Sequence, residues 1–168
     1  MHRGGQKIKT DLSSEGSRGA NIVFSGILNT NGKIGDLLIN SHSLIDFIAP
    51  DFLRIEIRKH YTRLKEISKL SIAEIMDAEF LVCKDIKFIS EEQVSLATWQ
   101  AAYELVHDID VKDIPYVAFS KQFNRKIWSG DKKLIRGLVR KGFESSINTD
   151  ELFQVREGLK KSKKQRRK

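Results

Sequence analysis

Three carboxylates stand at positions where a layered chain could gather them. Asp131 lies in "IWSGDKKL", just past a short apolar run and just before a helix start. Asp113 opens "DIPYVAFSKQFN", and Glu56 sits in "FLRIEIRKH" behind the apolar run "LIDFIAP". Acids from separate segments, brought to the ends of neighbouring strands, would hold a hard divalent cation such as Mg²⁺ or Mn²⁺. Such ions take oxygen ligands, keep several waters and can activate one of them against a phosphodiester. Each acid also has a plainer reading. Asp113 and Asp131 suit helix N-caps, whose carboxylates accept the free backbone N–H groups of a first turn, and Glu56 suits an exposed helix position. Asp108 and Asp110 in "VHDIDVKD" are near enough to assist or to be simple loop residues.

Other chemistries find less in the chain. "NGKIGD" has a lysine after glycine, but Ile34 stands where a phosphate loop needs Ser or Thr. His2, His42, His60 and His107 are scattered, and Cys83 alone cannot complete a zinc site with them. No nucleophile lies in a pattern with a base and an orienting group. Trp99 and Trp128 fall on apolar faces, which favours core packing over base stacking.

The elements that must position these acids alternate in type. Helical periodicity covers "NIVFSGIL"; "LIDFIAP" (44–50) reads as a strand and 51–67 as one helix. "SIAE" at 71–74 has capping-box spacing before a helix to about Cys83. "IKFIS" (86–90) is a strand, and "SEEQ" repeats the capping box before a helix to about His107. Then come the helix 113–124 with proline in its first turn, strand "KIWS", helix "DKKLIRGLVRKG", strand "FESSIN" and helix "TDELFQVREGL". Strands alternating with helices imply right-handed crossovers and a parallel sheet covered on both faces, with the ligand site at the carboxyl ends of the strands.

Composition sets the surroundings. The chain has 168 residues and one cysteine, which fits a single domain in a reducing, cytoplasmic setting without disulfides. No apolar run is long enough for a membrane span, so no membrane partner is expected. The net charge of +8 is uneven: residues 160–168, "KKSKKQRRK", carry seven of the 30 basic residues, leaving +1 on the remainder. Residues 1–19 read as a disordered or atypical leader, 20–158 as the folded domain and 159–168 as a basic disordered tail that would add salt-sensitive affinity for phosphates.

The order "ANIVFSGIL…GKIGDLLI", "IAPDFLRIEIRKH", "DIPYVAFSKQFNRKIWSGDKKLIRGL" and "INTDELF" resembles the PIN-domain family, in its subgroup near the toxin–antitoxin ribonucleases, from about Ala20 to Arg156. The resemblance implies a three-layer α/β/α sandwich with a central parallel sheet. It also implies a Mg²⁺- or Mn²⁺-dependent ribonuclease acting on RNA, with an antitoxin protein and a homodimer among the family's associations. Carried over by motif, Asp113 and Asp131 become metal ligands, Glu56 completes the acidic cluster, and Asn21 is a supporting polar residue. The pattern breaks at Gly19, where the family's first strand ends in "D-x-N" and this chain reads "GAN". The first acid is missing and its strand looks degenerate. Asp11 in "KIKTD" could substitute for it, but that stretch reads as too short and polar for a central strand. The alternative to a working nuclease is a catalytically inactive PIN-like module that binds RNA or protein.

Overall fold

A computed structural model describes residues 8–12, by their backbone, and residues 22–167. In chain order the elements are β1 (Ile8–Leu12), α1 (Ile22–Leu28), α2 (Lys33–Asn40), β2 (Ile45–Pro50), α3 (Phe52–Lys59), α4 (Tyr61–Ser68) and α5 (Ile72–Cys83). They continue with β3 (Ile86–Ile89), α6 (Leu96–Val106), α7 (Ile114–Phe123), β4 (Lys126–Trp128), α8 (Lys132–Arg140), β5 (Ser146–Ile147) and α9 (Thr149–Gln165).

The strands form one parallel sheet in the order β3-β2-β1-β4-β5. The crossovers leave a helical layer on each face, as expected for a covered parallel sheet. Alternation along β2 and β4 splits the core in two. Ile45, Phe47, Ala49 and Trp128 pack with α1, α2, α5 and α9, whereas Ile48 and Ile127 pack with α6, α7 and α8. This is the α/β/α sandwich that the alternating pattern implies. Trp128 is fully buried, lies 5.7 Å from the Phe47 ring and donates its indole N–H to Thr149 Oγ1 at 3.0 Å, so it is a core residue and not a stacking platform.

The largest departure from the sequence reading is β1. The stretch that reads as too polar for a central strand occupies the middle of the sheet, with Ile8, Lys9, Thr10 and Asp11 paired to Ile45, Asp46, Phe47 and Ile48. On its other side, Thr10, Asp11 and Leu12 pair with Lys126, Ile127 and Trp128. Without a strand there, the facing edges of β2 and β4 would leave a row of backbone N–H and C=O groups unpaired inside the molecule, and main-chain pairing accepts any side chain but proline's.

Smaller departures follow from capping and burial. The helix expected over 51–67 breaks at His60 into α3 and α4, and the break lets Leu64 enter the same core as Leu53 and Ile57. Ser90 caps only a 3₁₀ turn, Glu91–Gln93; α6 starts later, with Ser95 accepting the Thr98 N–H. The box at Ser71 and Glu74 is fully formed on α5. At the other end of the chain, where the sequence predicts a tail without structure from residue 159, α9 runs on to Gln165.

Candidate acidic site at the carboxyl ends of the strands

The start of α3 is held at the carboxyl edge of the sheet by three contacts. The Asp51 N–H donates to the Ile89 carbonyl at 3.0 Å, and the Phe52 N–H donates to Glu91 Oε1 at 2.8 Å. The Phe52 ring meets Tyr116 edge-on at 5.8 Å. Tyr116 lies in the first turns of α7, so this last contact joins the segment bearing Glu56 to the segment bearing Asp113 across two layers of the sandwich.

Asp113 is completely buried at the junction of a 3₁₀ turn, Val111–Asp113, with α7. Its side chain makes no capping bond to α7, so the N-cap reading fails for it. Capping of the 3₁₀ turn falls to Asp110, which accepts the Lys112 N–H at 2.9 Å, and α7 has Pro115 at its start, where a missing N–H costs nothing. A carboxyl buried here lies at the positive end of the helix dipole, a position that suits an acidic side chain.

For Asp131 the plain reading holds. Its Oδ1 accepts the N–H groups of Lys133 at 2.8 Å and Leu134 at 3.0 Å, and its own N–H donates to the hydroxyl of buried Ser129 at 3.0 Å. This turn follows β4 directly and fixes Asp131 beyond the end of that strand. Glu56 is the least committed to the edge. It is 41 % exposed and ion-paired within its own helix to Lys59 at 3.0 Å, with the His60 ring 3.9 Å away at the helix C-cap. Asn21 and Gly19 lie outside the described residues.

Asp11 is the residue that the sequence reading set aside and the fold brings forward. It is the penultimate residue of β1, flanked by Ile48 on one side and Ile127 on the other, at the carboxyl end of the central strand. A period-two pattern, with Ile8, Thr10 and Leu12 alternating with Lys9 and Asp11, was the signal that could have found it.

The donors are hard oxygens, as a Mg²⁺- or Mn²⁺-type ion requires. Among the side chains of residues 22–167, however, no three of His, Cys, Asp or Glu converge closely enough to hold a metal ion. Those side chains as they stand do not make a complete metal site. Beside Asp131 lies an open cleft of about 500 Å³ lined by Ser129, Gly130, Lys132, Ile135, Arg136, Asn148, Thr149 and Asp150, the last ion-paired with Lys33 at 2.6 Å. Lys132 and Arg136 outnumber the Asp150 carboxylate, which Lys33 offsets, so the cleft suits an anionic ligand. No helix among the described residues is long and apolar enough to cross a membrane.

A parallel sheet in this strand order, with acids distributed along its carboxyl edge, is the architecture of a PIN domain. The chain belongs to that family: the family model described as PIN domain matches residues 19–157. The match begins after β1, so the central strand is supplied by residues outside it. No curated protein and no solved structure matches the chain. Membership carries a nuclease-type function in general terms, with nucleic-acid binding and dependence on a divalent metal as general properties of PIN domains.

Proposed function

We propose that this protein is a ribonuclease whose acidic centre consists of Asp11, Asp113 and Asp131, with Glu56 at its margin. The observation that carries the reading is the register of β1. It sets an aspartate at the carboxyl end of the central strand, where the family resemblance expects the first acid. Asp113 contributes a buried carboxyl, and Asp131 contributes one held in place by the first turn of α8. A bound divalent cation would supply Lewis acidity toward a phosphodiester and a more acidic water. Lys132 and Arg136 would hold the RNA backbone in the adjoining cleft. The antitoxin partner and the homodimer are proposals that rest on the family resemblance, and the cytoplasmic setting is one that rests on the single cysteine. For self-association a surface exists: Ile72, Met76 and Phe80 form an exposed apolar stripe on α5.

The test is cleavage of single-stranded RNA with Mn²⁺ or Mg²⁺ by the parent chain, Asp11→Asn and Gly19→Asp. The parent is expected to cut, Asp11→Asn to lose activity by orders of magnitude, and Gly19→Asp to add little. Undiminished cleavage by Asp11→Asn would remove Asp11 from the centre. Cleavage by Gly19→Asp alone would mean that the chain as written is a disabled nuclease. No cleavage by any of the three folded proteins would favour the inactive binding module.

A further inference from the structure

The end of α9 has no use in packing. Leu152 and Arg156 are buried against the body, but every residue from Lys161 to Arg167 is exposed, so the last two turns project from the domain. Six of the eight residues 160–167 are Lys or Arg, and none is acidic. Of the six, only Lys160 has an ion-pair partner among the described residues, Glu157 at 3.0 Å.

The cations are also ordered. Lys160, Lys163 and Lys164 follow the i, i+3, i+4 spacing that places side chains on one helix face, with Arg167 just beyond the C-cap, while Ser162 and Gln165 fall on the other side. Like charges at these spacings destabilise an isolated helix, partly offset by the dipole at the helix C-terminus. A surface that repels itself gains most from a ligand carrying regularly spaced negative charge.

We infer that this face is a docking arm for the phosphate backbone of RNA. A membrane surface fits it poorly, because residues 160–168 contain no apolar side chain to enter a bilayer. Lys163 lies about 20 Å along the helix axis from Asp150, which lines the cleft beside Asp131. The arm is therefore a second contact, remote from the acids and independent of the nuclease reading.

The test measures binding of fluorescein-labelled single-stranded RNA by anisotropy in EDTA, where the acidic centre is silent. Two full-length variants remove equal charge: Lys163→Gln/Lys164→Gln on the stripe and Lys161→Gln/Arg166→Gln off it. Glutamine keeps helix propensity. Loss of two phosphate contacts should weaken binding about tenfold near 0.1 M salt and flatten the log–log salt slope by about 1.4. The off-stripe pair should lose several-fold less. Equal losses in the two variants, no loss in either, or binding to anionic phosphatidylserine vesicles in place of RNA would overturn the assignment. Absence of RNA cleavage by the parent chain, with arm binding intact, would refute only the nuclease reading.

Discussion

Asp131 has two separable duties, and substituting it by asparagine and by alanine tells them apart. Its Oδ1 satisfies two backbone N–H groups of α8, those of Lys133 and Leu134. Alanine removes both bonds, at a cost of about 1 kcal/mol for a lost N-cap, which in a domain of this size lowers Tm by about 2–4 °C. Asparagine retains a carbonyl oxygen at the same place and should leave Tm within a degree or so of the parent. The charge behaves differently. If the carboxylate also faces a cation, Mn²⁺ at about 100 times its Kd stabilises the parent by about 2.7 kcal/mol, or about 5–11 °C. A tenfold weaker site at the same concentration retains about half of that. Thermal melts of the three proteins with and without Mn²⁺ read both effects. The Asp131→Asn protein should melt like the parent in EDTA and like the Asp131→Ala protein in its response to Mn²⁺. A loss of stability in the asparagine variant equal to that of the alanine variant would refute the capping argument. A full Mn²⁺ shift in the asparagine variant would reduce Asp131 to a cap.

Arg156 is buried and joins α9 to α2 through Asp36 at 2.6 Å and the Ser41 hydroxyl at 3.4 Å, so Arg156→Ala should cost about 3 kcal/mol by urea titration. Burial pushes the Asp36 carboxyl up, but hydrogen bonds from Arg156 and Asn40 and the nearby charges of Arg156 and Lys160 outweigh it, leaving its pKa below the ordinary 3.8. Its contribution is therefore fully present above about pH 4 and lost as pH falls through the lowered value, so Asp36→Asn should flatten the acid limb of a stability–pH curve. Glu79 has the opposite sign. Desolvation raises its pKa above 4.5 despite Arg58 and Arg54, so the fold favours its protonated form and loses that advantage as pH rises. Glu79→Gln should then raise Tm at neutral pH, with the gain shrinking toward pH 4. At Gly35, a Cβ would come within 2.5 Å of the Thr30 carbonyl oxygen and 2.6 Å of that of Asn29. Because backbone must move, Gly35→Ala should cost about 1–3 kcal/mol, checked by denaturant midpoint.

Local signals determined most of the architecture. Apolar period and capping residues marked the helices, and short runs rich in apolar residues marked β2, β3 and β4, because a covered parallel sheet buries most of these strands. The positions of Asp113 and Asp131 followed from the same reasoning, since each stands next to an element whose boundary the sequence announces. The sequence could not decide between cap and buried acid. Asp131 proved to be a cap and Asp113 did not, a difference that depends on whether Asp110 and Pro115 have already met the needs of the first turn. Nor could residue types reveal that "IKTDL" fills the centre of the sheet. Its side chains argue against that place, and the demand comes from unpaired backbone groups on β2 and β4, segments far along the chain that become its neighbours only after folding. The basic end of the chain is the converse case. Its charge was plain from composition, but only the continuation of α9 to Gln165 orders that charge into a face.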